Sequence, residues 1–417
     1  MRGRKGSVVV VVLLLMALTF LGHFNRIAIS VAGSERMMDQ YGLDPIRMGV
    51  VYSAFLFTYT IAMIPAGLLA DRFGAWLALG VMAVGLAAGS VATGAVGLTV
   101  GAAHVVVTLL VVRGVMGMLS APLHPSTARS VANWIPMHRR TLVNGLTLGA
   151  AFLGIALTYY VFGALIDRVD WPVAFMITAG VTLVVGALWI TFAADMPAGH
   201  RSPTLVRTSR AGWLALLRNR SVLFVTLAYT AVGYFEYLFF YWMLYYFDKV
   251  LQIGTETSRL YSTIVTLAMA GGVISGGWLS DRLVARWGAR RGRAAVPVAG
   301  MIAGAIFLVV GVTAEAPLWV MIWFSLGVFA ATAAEAPCWA TAIELGKAHG
   351  TTAGGIMNTG ANIGGFIAPI ATPWIGMTFG WQWAIGLGAA VSLAGGLLWL
   401  GVKPAEDEVT IAEPTVA

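Results

Sequence analysis

Arg26 and Arg113, His23 and His124, and Glu236 and Glu335 all stand in stretches that are otherwise apolar. An arginine at the centre of such a stretch is expensive in a bilayer, about 2.5 to 3.5 kcal/mol on insertion scales, so something must offset it. Arg26 closes the sequence Gly22-His23-Phe24-Asn25-Arg26 between apolar runs 8–21 and 27–32. Its planar fork suits a carboxylate, which it binds through two parallel hydrogen bonds while staying charged throughout. Snorkelling toward Glu35 would pull against the lean of helical side chains toward the N-terminus. Thr19, Gly22, His23, Arg26, Ser30 and Gly33 recur at spacings of three and four, which predicts one polar helix face lining a water-filled cavity. Arg113, Gly117, Ser120 and His124 form a second such stripe.

The other polar residues of the apolar stretches have two readings each. His23, His124, Glu236 and Glu335 can change ionisation, the property needed to carry a proton; a lone membrane histidine also serves as a hydrogen-bonded packing residue. Asn358 and Asn362 lie one helical turn apart and offer amides to substrate hydroxyls, or interhelical glue. Tyr234, Tyr237, Tyr241 and Tyr245 follow helical spacing and suit a cavity wall or an aromatic belt. Trp339, four residues after Glu335, joins the candidate wall. The chain carries no phosphate-binding glycine loop with its lysine, no Ser-His-Asp motif and no metal-ligand spacing, so neither enzyme nor cofactor is expected. The single Cys338 excludes an internal disulfide.

The elements that must position these side chains follow from composition. Of 417 residues, 59% are hydrophobic and 11% charged, more apolar surface than a soluble core of this length uses. Crossing the hydrocarbon takes about twenty residues. Runs of that length fall near 8–32, 46–69, 75–97, 101–128, 141–166, 171–194, 219–247, 258–280, 294–314, 317–345, 351–378 and 381–402, an all-α integral membrane protein of twelve helices. Arg2, Arg4 and Lys5 ahead of the first run resemble a signal peptide, but the run is too long and carries Arg26, so it reads as a retained helix. With connections assigned to alternate sides, Arg72, Arg139, Arg140, Arg201, Arg207, Arg218, Arg282, Arg290 and Arg293 collect on one side. Only Arg36, Arg47, Arg168, Lys249 and Arg259 fall on the other. Both termini are therefore expected in the cytoplasm, in a multi-pass protein of the inner membrane, and the net charge of +8 is topological rather than a nucleic-acid footprint.

A polar break divides the chain into a first six-helix bundle at 1–194, a linker at 195–218 and a second bundle at 219–402, with a disordered acidic tail at 403–417. The halves echo each other. Gly67-Leu-Leu-Ala-Asp71-Arg72-Phe-Gly74 follows the second run, and Gly277-Trp-Leu-Ser-Asp281-Arg282, leading to Trp287-Gly288, follows the eighth. Recurrence at corresponding places is what parallel duplicated repeats produce. Asp71 is expected to accept hydrogen bonds from a neighbouring helix start near Thr351.

The duplicated loop, the twelve runs and the central linker resemble the major facilitator superfamily over essentially the whole chain. Asn25-Arg26, the segment from Tyr59 to Gly67 (YTIAMIPAG), Arg113-Gly-Val-Met-Gly117 and Trp134-Ile-Pro136 resemble its anion:cation symporter branch, which carries bacterial sugar acids and other organic anions. The resemblance implies two pseudo-symmetric bundles with the site between them near mid-depth. It implies Arg26 as ligand of a substrate carboxylate and Tyr59 as a cavity tyrosine; from their own chemistry His23, Asn25, Ser120, His124, Tyr237, Tyr241, Glu335, Trp339, Asn358 and Asn362 are the candidates around them. It also implies conformational gating by Gly67, Asp71, Arg72, Gly74, Gly277, Asp281 and Arg282. The branch typically has Asp-Arg where this chain has Asn25-Arg26, and glutamate where it has Ser120. Its proton carriers are thus missing, and coupling is left to His23, His124, Arg113, Glu236 or Glu335, or is lost. The expected function is transport of a small organic anion by a monomer in the bilayer, with proton symport, exchange and facilitation all open, and a non-transporting ligand sensor as the alternative from another class.

Overall fold

The computed structural model describes residues 7–196 and 209–403. Arg2, Arg4, Lys5, Arg201, Arg207 and the tail from residue 404 lie outside the described residues. Every regular element among the described residues is helical. A first group comprises α1 (Val8–Ala32), the short α2 (Met38–Tyr41), α3 (Pro45–Phe73), α4 (Ala75–Thr99), α5 (Ala102–Ser120), α6 (Leu123–Trp134), α7 (Met137–Leu157) and α8 (Gly163–Phe192). After α9 (Arg210–Arg218), a helix inside the expected linker, come α10 (Arg220–Tyr245), α11 (Thr255–Val312), α12 (Pro317–Thr332), α13 (Glu335–Gly346), α14 (Gly350–Phe379) and α15 (Trp381–Leu398).

Local chemistry sets the ends. Asp44 caps α3 by accepting from the Arg47 N–H at 2.8 Å, with Pro45 at the first helical position, where its missing N–H costs nothing. Asn219 caps α10 through the N–H groups of Ser221 and Val222. The closing glycines of the duplicated loop, Gly74 and Gly288, have φ of +90° and +76°, a region where a Cβ would be strained. That explains why each copy closes on a glycine, three residues after Asp71 in one and seven after Asp281 in the other.

Nine helical segments among the described residues are long and apolar enough to cross a membrane. Two of them contain a non-helical residue, Asp170 in α8 and Gly288 in α11, where one helix gives way to the next. Within the runs expected as unbroken spans at 101–128 and 317–345 the helix tightens into a turn, at Ala121–Pro122 between α5 and α6 and at Ala333–Ala334 between α12 and α13, with the backbone still in the helical region. Outward faces carry Ile61, Leu68, Val107, Ile274 and Trp383, as lipid contact requires.

Within the first group α4 lies against α5 and α8, α3 against α5, and α1 against α7 and α8. Within the second, α10 lies against α14 and α15, and α11 against α12. The groups meet along α3 with α14 and α7 with α11. Gly49 makes the first of these close: a Cβ there would collide with the Pro369 carbonyl oxygen.

Candidate functional site

Arg26 projects from α1 into the seam between the groups, and its Nη2 donates to the Tyr237 hydroxyl of α10. Three aromatic rings surround the guanidinium, with centroids at 5.2 Å (Phe55), 5.3 Å (Tyr59) and 4.7 Å (Tyr237). Its Nε is buried without a hydrogen-bond partner. Arg113, fully buried on α5, supports it from behind: Nη2 donates to the Arg26 carbonyl at 2.8 Å, and its guanidinium lies 5.0 Å from the Phe55 centroid. Among the described residues, neither arginine is in an ion pair with a carboxylate. Two guanidiniums held by rings, carbonyl and hydroxyl, with a donor left over, have the chemistry to accept an anion.

His23 and His124, expected on separate stripes, are brought together one turn from Arg26, with ring centroids 5.2 Å apart and edges meeting. His23 Nδ1 shares a 2.9 Å hydrogen bond with the Thr19 carbonyl. Across the seam, Asn358 Nδ2 lies 3.4 Å from Met63 Sδ, and Asn362 Nδ2 donates to the Asn358 carbonyl at 2.9 Å. Tyr241 stacks on Tyr52 and Tyr237, at 4.9 and 6.0 Å. Glu335 accepts from Tyr229, whose hydroxyl also takes the Trp339 Nε1–H at 2.9 Å. Glu236, on α10 beside Tyr237, has a buried oxygen with no partner.

Two expected residues face elsewhere. Asn25 donates to Thr182 at 3.1 Å and to the Leu21 carbonyl at 2.9 Å, and accepts from Ser90 at 3.1 Å. One residue from Arg26 is about 100° around a helix, which turns this amide into the first group and away from the seam. Asn25→Ala should therefore lower thermal stability, by about 1–3 kcal/mol for the Ser90 and Thr182 groups left without it, while leaving organic-acid affinity unchanged in titration calorimetry. The Ser120 hydroxyl turns back to the Met116 carbonyl at 2.7 Å.

The duplicated loops also differ from expectation. Asp71 pairs with Arg129 of α6 rather than with the helix start near Thr351. The capping role falls to Asp195, which accepts from the Trp76 N–H at 2.7 Å at the start of α4. Asp281 pairs with Arg293 at 2.9 Å, and Arg293 also binds Glu344 at 2.6 Å. Arg72 and Arg282 stack on Phe73 and Trp278, at 5.3 and 3.9 Å. Gly67 and Gly277 face Pro125 and Ala336, just after the turns that precede α6 and α13.

At the opposite end of the helices is a clamp that sequence reasoning missed. Arg259 of α11 grips Glu35 in bidentate fashion, at 2.7 and 2.6 Å, and Asp167 of α8 at 2.5 and 3.1 Å. Glu35 is 1% exposed and Arg259 6% exposed at their side chains. Lys249 and Asp39 add a pair at 2.9 Å. Both pairings join the first group to the second. The available signal was that Arg259 and Lys249 are rare cations on a cation-poor side.

The family model described as Major Facilitator Superfamily matches residues 15–359 and 283–416. The chain belongs to the major facilitator superfamily. As a member of that superfamily it is a transporter and not an enzyme. This facilitator is 28% identical over 369 residues to the probable sulfoacetate transporter SauU of Cupriavidus necator, covering 84% of this chain and 83% of that one. It is 28% identical over 379 residues to a hexuronate transporter of Bacillus subtilis, covering 88% and 87%. In fold it is similar to a bacterial homologue of the human lysosomal transporter Spinster, crystallised in an inward-facing and occupied conformation, with a TM-score of 0.76 at 13% identity over 94% of this chain and 96% of that one.

Proposed function

We propose that this facilitator carries a small organic anion, with Arg26 receiving the anionic group and Tyr59, Tyr237, Asn358 and Asn362 receiving its hydroxyls. The observation that carries this reading is the buried Arg26 guanidinium in the seam between the groups, ringed by aromatics, with a free Nε–H and no acid in an ion pair with it. A buried cation without a counter-charge is costly, and an arriving carboxylate, sulfonate or similar group relieves that cost. Relatives named for sulfoacetate and hexuronate transport have substrates with the same feature, an anionic head on a small polar body.

Dividing the two segments that contain Asp170 and Gly288 and adding α14 brings the nine apolar segments to twelve spans, read as bundles at 1–194 and 219–402. The end that bears Arg72, Arg139, Arg140, Arg218, Arg220, Arg282 and Arg293 is the cytoplasmic one by the positive-inside rule, with both termini there, and the molecule works as a monomer. The Arg259 clamp then closes the outer end. The bundles rock between two states during transport, with the Asp71 and Asp281 loops tuning the inner end. Proton-independent exchange is the second reading, favoured by the engagement of Asn25 and Ser120 within their own bundle.

A thermal-shift screen of sulfonates, hexuronates, aldonates and aromatic carboxylates against the purified protein tests the substrate class. An acid present at a hundred times its Kd should stabilise the protein by about 2.7 kcal/mol. Stabilisation by cations or neutral sugars with none by any acid would refute the reading.

A further inference from the structure

The turns between α5 and α6 and between α12 and α13 fall in the fourth span of each group, and each is followed at once by an ionisable residue: His124 is second in α6, and Glu335 is first in α13. Each of these residues is partnered with the first long helix of its own group. His124 meets His23 of α1, and Glu335 meets Tyr229 of α10 and shares its electrostatic surroundings with Glu236. The repeat thus places two touching imidazoles on one side of the seam and two buried carboxyls, on α10 and α13, on the other.

The carboxyl pair is built to hold something. Glu335 is 7% exposed, its Oε1 accepts from Tyr229 at 3.2 Å, and Tyr229 is itself fixed by Trp339. Oε2 of Glu335 and Oε1 of Glu236 are both shut from solvent with no donor. Glu236 also feels the charge of Arg26. The other titratable groups facing the pair are Tyr229 and Tyr237 from α10 and Cys338 from α13. A carboxylate oxygen shut from solvent with no donor is costly, and a proton on either group removes the charge and supplies a donor.

We propose that Glu236 and Glu335 bind the coupling proton, so that the coupling site lies in the second group rather than at the positions held by Asn25 and Ser120. The proposal rests on the reading of Arg26 as the anion receptor. With the site empty, the positive field of Arg26 steadies the ionised carboxyls from a distance, while Arg26 itself still has no acid in contact with it. An anion arriving at Arg26 cancels the field that steadied the pair, and one carboxylate takes a proton from the same aqueous side, restoring balance. On the other side the anion leaves, the field returns, and the proton is released there. One proton accompanies each monovalent anion.

Infrared difference spectroscopy of the substrate-free protein in lipid, between mildly alkaline and mildly acid buffer, tests this without any substrate. The native protein should gain a carboxylic-acid carbonyl absorption that is lost in Glu335→Gln and in Glu236→Gln. Its persistence in both variants would overturn the proposal, as would suppression by sodium at constant pH, which would make the site a sodium site. Should either variant misfold, labelling the native chain with dicyclohexylcarbodiimide, which attacks protonated carboxyls in apolar surroundings, replaces it. Adducts on the peptides of Glu236 or Glu335 that grow as pH falls are expected, and adducts confined to other carboxyls, or none, refute the proposal. The anion reading is judged separately, by thermal shift with organic acids, so the two can fail independently.

Discussion

Arg26→Ala abolishes the thermal stabilisation that organic acids confer on the protein, and leaves the stability of the unliganded protein unchanged or raised. The two halves of this result have one cause. The guanidinium is buried with a free donor and no ion-paired acid, so the empty protein bears a cost that the anion relieves. Truncating one partner of a buried, hydrogen-bonded charge pair costs about 2–5 kcal/mol in binding, or roughly thirtyfold to several-thousandfold in Kd. Removing Arg26 also loses the Tyr237 contact and the ring interactions, which sets an upper limit on any gain in the empty state. Arg26→Lys should restore only part of the affinity, because an ammonium is a point charge and lacks the fork that holds a carboxylate in two places. Calorimetry and thermal melts on the three proteins check both halves. A large drop in unliganded stability with affinity preserved would make Arg26 a structural residue.

The second large effect is at the clamp. Arg259→Ala strands Glu35, whose carboxylate is almost completely shielded and has Arg259 as its bidentate partner. Breaking a buried pair from one side costs about 3–5 kcal/mol, here charged to the arrangement in which this end is closed. The expected outcome is a shift toward the state open at that end. In a Cys338→Ser background, a cysteine at the buried Ser262 position, less than one turn from Arg259 on α11, should react with a soluble maleimide much faster in Arg259→Ala than in the parent. Adding Glu35→Gln removes the stranded charge and should return much of the protection. Unchanged labelling in Arg259→Ala would mean that packing of α7 on α11 closes this end without the ion pairs.

The fold was largely legible because its signals are long and repeated. Apolar runs mark helices wherever they occur, and the paired Asp71 and Asp281 loops expose the duplication directly. The turns after Ser120 and Thr332 were not legible, since small apolar residues and a proline are compatible with an unbroken membrane helix. At the candidate site, Arg26 stood out in the sequence by the cost of its apolar surroundings. Asn25 was misplaced because neighbours in sequence point about 100° apart on a helix, and the direction of a face depends on neighbours such as Ser90 and Thr182 that lie 65 and 157 residues away. The same limit hid the clamp: Glu35, Asp167 and Arg259 come from three separate helical regions, and no local pattern joins them. It also hid the meeting of His23 with His124, whose stripes read as independent.

The most direct measurement is flux of a labelled organic acid, chosen as the strongest stabiliser in the thermal-shift screen, into liposomes preloaded with the same unlabelled acid. The native protein should accelerate entry far above that of empty liposomes, and Arg26→Ala, reconstituted to the same density, should reduce entry to the empty-liposome rate. Flux undiminished in Arg26→Ala would place the anion elsewhere, and tight binding without flux in the native protein would make this chain a sensor rather than a carrier.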